Sequence, residues 1–437
     1  MLGIVLAGYA LFGKGFAYIG YSPFFIGEIT LVLGILAALN TRCLLASFVT
    51  LPAFLLLCLI LFILARTLPY VENFGFDALR DSVVATYGLY AFVVIALLLE
   101  RSARIEMILT FYGRFACVFT YGVPASLVTS LMFRDYLPRW PGSGTPIIWV
   151  QTGEAAVHLA GVCVFFLGGF ARAPRYAIVF LIAALALIVP QSRGAMLAFV
   201  VPVCLAMLLL GRARTLIVGL VVAGSLFGIA YLLESTFVQY RPASSSEDRS
   251  VSTRQVIDNV SSIFGSGNDQ TEGTKQWRVD WWNLIIQNTI HGQYFWTGRG
   301  FGLNLADADG FRPNQHSLEP PLRSPHNVFM TVLARAGVPG SLLWAGVLLS
   351  WSWLLLSNVA RARAWRLPRW ASMFVLTWSY GLAAIINATF DPALEGPMQG
   401  IWFWCVYGFG VGAAMAFRVL NPAVDPTPSA AIRARPS

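Results

Sequence analysis

Twelve stretches of this chain are apolar over a length that crosses a lipid bilayer, and nothing else in the sequence restricts its possible folds so strongly. They lie at about 1–17, 24–40, 43–65, 83–100, 105–127, 154–170, 175–190, 195–210, 215–233, 338–357, 371–388 and 399–417. A membrane-spanning helix needs roughly 20 apolar residues, and in lipid the backbone must satisfy its own hydrogen bonds. The expected fold is therefore an all-α integral membrane protein of about twelve transmembrane helices. Composition agrees: 57% of residues are hydrophobic and 12% charged, with a mean hydropathy of +0.67. That leaves too little polar surface to coat a water-soluble enzyme. Trp and Tyr recur near the ends of the apolar runs, as interfacial rings do. Met1 to Phe12 has neither a basic start nor a small-residue cleavage site, so the first run is expected to remain as a helix. The six cysteines all lie in or beside apolar runs, without the spacing of a disulfide framework or a metal site.

The net charge of +9 argues for membrane orientation rather than nucleic-acid binding, because the excess sits in short connections. The loop from Glu234 to Pro325 carries eight Lys/Arg against ten Asp/Glu. With the N-terminus inside, every cytoplasmic connection holds at least one arginine, from Arg42 through Arg101, Arg172, Arg212 and Arg361 to Arg418. This divides the chain into helices 1–9 over 1–233, a large outward loop with short helices over 234–337, helices 10–12 over 338–417, and a disordered cytoplasmic tail over 418–437. Outward arginines break the rule. Arg66 and Arg80 have acids nearby, Glu72, Asp77 and Asp81, and local pairing explains them. Arg193 is different: in Ser192-Arg193-Gly194-Ala195 it occupies a tight turn between apolar helices with no acid close in sequence, so an external anion is its natural partner.

Within the loop, a Ser-rich, mobile stretch is expected around Ser244 to Ser252. A helical pattern follows, in which Trp277, Trp281 and Ile285 form the apolar face of an interfacial helix. Trp277, Trp281, Trp282 and Trp296 fit either stacking on sugar faces or packing against the bilayer surface, the second being the simpler use. The loop ends in Ser324-Pro325-His326-Asn327, followed by nine residues and Gly337-Val338-Pro339-Gly340. Ser324 and Pro325 suit a helix start. His326 would then project from the first turn of a short surface helix, and the glycines would let the chain turn into the next span. Histidine is the side chain that exchanges protons near neutral pH; the plain alternative is local capping or pairing. His158, inside an apolar run, reads as a hydrogen-bonded interhelical histidine.

These residues carry a resemblance. His326-Asn327 with Gly337-x-x-Gly340 resembles the signature of the O-antigen ligase and polymerase superfamily, and four further pieces agree in order. They are Ser192-Arg193-Gly194-Ala195, Arg278-x-x-x-Trp282, Gly298-Arg299-Gly300-Phe301-Gly302, and Phe390-Asp391-Pro392 leading to Trp402. The similarity runs from about residue 150 to 417.

The resemblance implies a GT-C-like, metal-independent, inverting glycosyltransferase that needs no cofactor. It would work at the periplasmic face of a bacterial inner membrane. Its donor would be a glycan on undecaprenyl pyrophosphate, and its acceptor a sugar of lipid A-core. A polymerase of O-antigen or exopolysaccharide repeat units is the close alternative. His326 would be the general base, supported by Asn327 and Asp391; Arg193, Arg278 and Arg299 would hold the pyrophosphate, which arginine does bidentately and without losing its proton. Arg299 fits a solvated loop charge equally well, and Asp391 fits a helix cap. Further pyrophosphate contacts from the first 150 residues, Lys14 or Arg134 for instance, are left open. A transporter of lipid-linked sugars is disfavoured, because it would line a central cavity with cations whereas these gather at one face.

Overall fold

In a computed structural model of the protein, the described residues are 1–237, 269–311 and 322–422. The Ser244 to Ser252 stretch and the tail beyond 422 lie outside them. The apolar runs are helical, the first divided at Gly13 and that over 83–100 divided between two helices. Among the described residues, six helices are long and apolar enough to cross a membrane: Leu51–Phe74, Arg104–Met132, Ala213–Leu232, Val328–Ala364, Pro368–Ala388 and Pro397–Leu420. Phe76–Thr86 and Leu89–Glu100, bent by 41° at a short break, would make a seventh span, and five shorter apolar helices accompany them. The chain is thus an all-helical, multi-pass membrane protein.

Two run edges move, each for a local reason. The run expected from residue 43 becomes helical only at Leu51, with Pro52 in the first turn, where its missing N–H costs nothing. The run expected from 338 starts at Val328, because Asn327 accepts from the N–H groups of Phe329 and Met330 (2.9 and 3.3 Å) and caps the helix there. His326 consequently lies ahead of the first turn rather than on it, and Ser324 and Pro325 precede the cap.

The bundle is held by close helix contacts. Pro397–Leu420 packs on Leu89–Glu100, and a Cβ on Gly408 would stand 2.5 Å from the Ala91 carbonyl oxygen. Thr152–Leu167, Arg193–Leu209 and Pro368–Ala388 pack on one another, while Val328–Ala364 packs on both Pro368–Ala388 and Leu51–Phe74. Trp344, Trp351 and Trp404 are fully buried at the centre, with the Trp351 ring stacked on Tyr407 at 5.4 Å. His158 is buried and bonds the Tyr380 hydroxyl at 2.6 Å, the interhelical use expected of it.

The long helix Val328–Ala364 is broken at Gly337, whose φ of 69° and ψ of −171° belong to glycine. The break strands two carbonyls. Pro339 has no N–H to offer Arg335, and Val338 gives its N–H to the Phe295 carbonyl at 2.8 Å instead of to Ala334. The Gly-rich segment fills both vacancies: Arg299 N–H donates to Ala334 at 2.8 Å and Gly300 N–H to Arg335 at 3.0 Å. The two glycine motifs are therefore halves of one joint, in which buried backbone groups of the break are satisfied by the loop.

Candidate functional site

Beside this joint the helix ends and the loop enclose a chamber of about 1880 Å³. His326 and Asp391 both line it, with His326 Nδ1 3.8 Å from Asp391 Oδ1. Nδ1 is buried and makes no hydrogen bond at that distance; catalytic hydrogen bonds are commonly long until substrate arrives. His326 itself is held at a φ of 52°, a left-handed conformation that costs a non-glycine residue about 1–3 kcal/mol and persists only where its surroundings impose it.

What imposes it is the helix Asp269–Thr289. Arg278 and Trp282 stand four residues apart and so share one face. Trp282 Nε1 donates to the Pro325 carbonyl at 3.0 Å, and Arg278 Nη1 donates to the Phe390 carbonyl at 3.2 Å. One accepting residue immediately precedes His326 and the other immediately precedes Asp391. A single helix face thereby spaces the histidine and its carboxylate, and Arg278 also lines the chamber. Trp277 joins it there. Trp281 is fully buried, stacked on Phe311 at 5.3 Å and bonded through Nε1 to Asp309 at 2.8 Å. The tryptophan face of this helix packs on protein, against Leu305, Leu333 and Ala334, and not against a bilayer surface as expected; Trp296 is exposed.

Arg193 opens the helix Arg193–Leu209, whose N-cap Ser192 accepts from Ala195 N–H at 3.2 Å. A Cβ on the adjacent Gly194 would lie 2.6 Å from Phe390 Cβ, so only glycine lets this helix end sit on the turn that carries Asp391. Arg193 is not one of the residues that line the chamber; its helix end reaches the site through the Gly194 contact with Phe390. Arg299 is not brought there. It pairs with the buried Asp309 and lies over the Tyr294 ring at 5.7 Å, tying the Gly-rich segment to the short helix Leu305–Asp309. Asn327 acts as the helix cap.

A second set of charges braces the floor. Asp81 Oδ2 accepts from Arg335 Nη2 at 3.0 Å, Arg323 Nη2 at 3.1 Å and Gly302 N–H at 3.0 Å, joining three distant segments. Arg335 is completely buried and also donates to the Leu303 carbonyl at 3.1 Å. Glu395 accepts from Thr331 Oγ1 at 2.8 Å, and burial pushes its carboxyl above the usual range although Arg335 pulls it down. Arg80 pairs with Asp77 at 3.3 Å, as its neighbours in sequence suggested, whereas Arg66 bonds the Thr297 carbonyl at 3.1 Å and not Glu72. No spacing in the chain pairs Arg335 with Asp81; the one available signal was a cation flanked by Ala334 and Ala336 in an otherwise apolar helix.

Comparison with known proteins agrees with this architecture. Residues 152–345, which include Arg193, Arg278, His326, Asn327 and the Gly337 joint, match the family model described as O-antigen ligase. No curated protein matches the chain. The matched segment holds the helix face that seats His326 and the joint behind it, and over residues 152–345 the chain is similar to the O-antigen ligase family, a similarity that implies a glycosyltransferase-like activity in general.

Proposed function

We propose that the protein transfers a glycan from undecaprenyl pyrophosphate to an acceptor sugar, that of lipid A-core, at the periplasmic face of a bacterial inner membrane. The observation that carries this reading is the pairing of His326 with Asp391 on a chamber that Arg278 also lines. With Nδ1–H turned to Asp391, the Nε2 lone pair is free to take the proton of an acceptor hydroxyl. The acceptor oxygen attacks the anomeric carbon as the bond to the pyrophosphate oxygen breaks, with inversion. Undecaprenyl pyrophosphate leaves with the electron pair, and Arg278 and Arg193 neutralise its developing charge. Asp391 stabilises the imidazolium until the proton is released. One positioned base contributes on the order of 10²–10⁴-fold, so the remainder comes from positioning and from the cations. The reaction needs no metal: the arginines carry the charge that a cation would otherwise carry.

The test incubates purified protein in lipid nanodiscs with an undecaprenyl-pyrophosphate-linked repeat unit, with and without lipid A-core. Product formed only with added core is expected; a ladder growing on the carrier would make the protein a polymerase. His326→Ala is expected to insert and fold but to transfer nothing, and normal transfer by that variant would remove His326 as base.

A further inference from the structure

The wall of the chamber contributed by the first half of the chain carries a group that transfer chemistry at His326 does not use. Glu154 is 3% exposed, lines the chamber, and neither of its carboxylate oxygens has a hydrogen-bond partner. Burying a carboxylate without partners is costly, and such groups are rare enough to need a reason. Around it the wall is built to a fixed shape. Gly13, at a φ of 59°, breaks the first apolar run. Lys14 N–H then donates to the Trp149 carbonyl and Trp149 N–H to the Phe12 carbonyl, both at 2.9 Å. This pairing sets Lys14 Nζ 4.3 Å and the Arg134 guanidinium 5.2 Å from the Trp149 ring centre. Lys14, Arg134, Trp149 and Glu154 all line the chamber, and Glu154 lies within electrostatic reach of both Lys14 and Asp391.

The combination selects a ligand class. The enclosed Glu154 carboxyl lacks hydrogen-bond partners, and a sugar supplies hydroxyls that can both donate to it and accept from it. Two cations beside the same ring match one negative substituent. We propose that this wall is the acceptor subsite and takes a saccharide bearing an anionic substituent, with the Glu154 carboxyl hydrogen-bonding its hydroxyls and Lys14 and Arg134 holding the anion. The word acceptor rests on the transferase reading above. Glu154 thereby directs a sugar toward the Asp391 side of the chamber, where His326 stands.

The test is binding without turnover, using the full-length protein in nanodiscs and three probes: glucose 6-phosphate, methyl glucoside and inorganic phosphate. Wild type is expected to bind the sugar phosphate at least tenfold more tightly than either other probe. The double substitution Lys14→Met with Arg134→Met should abolish the preference for the phosphate, and Glu154→Gln should weaken both sugars about tenfold. If Glu154→Gln fails to fold, Glu154→Asp, which keeps a carboxyl at shorter reach, serves in its place. Equal binding of all three probes, or a preference that survives the double substitution, would overturn the proposal. So would inorganic phosphate binding as tightly as the sugar phosphate with no effect at Glu154. Weaker undecaprenyl pyrophosphate binding in the double variant would reassign the wall to the donor and overturn it too. Failure of the transferase reading is distinct: wild type would bind no undecaprenyl pyrophosphate while keeping its sugar-phosphate preference.

Discussion

Replacing Trp282 by Phe keeps a ring in place and deletes one donor, the Nε1–H that holds the Pro325 carbonyl at 3.0 Å. A hydrogen bond of this kind contributes about 1 kcal/mol net. A stranded buried acceptor would cost up to about 3 kcal/mol, but the residues on either side, Ser324 and His326, line the chamber and let the carbonyl find another partner, so the smaller figure applies. His326 sits beside it in a left-handed conformation that the chain would otherwise leave. The loss therefore falls on the seating of the base rather than on the fold. At 1.36 kcal/mol per factor of ten, 1 kcal/mol lowers the ratio of seated to unseated histidine about fivefold, and the seated fraction by up to that factor. Steady-state transfer from an undecaprenyl-pyrophosphate-linked glycan in nanodiscs should show kcat falling by up to about fivefold, with KM for the donor and the melting temperature nearly unchanged. An unaltered kcat, or a change confined to KM, would refute the idea that this helix face seats the histidine.

Arg278→Lys and Arg193→Lys should each lower transfer about 10- to 100-fold, since a point charge does not reproduce the guanidinium fork; full activity in both would remove the pyrophosphate assignment. Gly300→Ala places a Cβ 2.1 Å from the Tyr70 ring at a φ of 83°, and strain and overpacking together should cost about 2–6 kcal/mol. Thermal melts should show that loss, with part of it recovered by adding Tyr70→Ala. Glu395 has its carboxyl raised by burial, so its contribution to stability is present below the ordinary carboxylate range and is lost as pH rises through the raised value. Melting temperatures of wild type should therefore fall more between pH 4 and pH 8 than those of Glu395→Gln; parallel curves would contradict the assignment.

The helices were legible because each apolar run has to satisfy its backbone alone in lipid, a demand written into consecutive residues. Their edges were less so, since Pro52 and Asn327 act through single local contacts that a hydropathy pattern averages away. The residue types of the site were readable, but their uses were not. Trp282 reaches a carbonyl 43 residues away and Arg278 one 112 residues away, and no spacing in the chain encodes such contacts. Arg299 read as a phosphate contact only through the motif that holds it. The glycines that flank it answer packing needs: a Cβ at 298 would strike the Arg335 carbonyl and one at 300 the Tyr70 ring. Glu154 was invisible for the opposite reason. An acid in the first turn of a helix is ordinary, as the helix dipole favours it there, and only the folded chain reveals that its oxygens are enclosed.

Both contacts from the Asp269–Thr289 helix end on main-chain oxygens, those of residues 325 and 390. A main-chain oxygen exists whatever the side chain, so this brace tolerates substitution at Phe390 while demanding donors at 278 and 282. Anyone transplanting the histidine and its carboxylate into a different bundle would have to move the helix as well, because the instruction that sets their separation is written on neither of them.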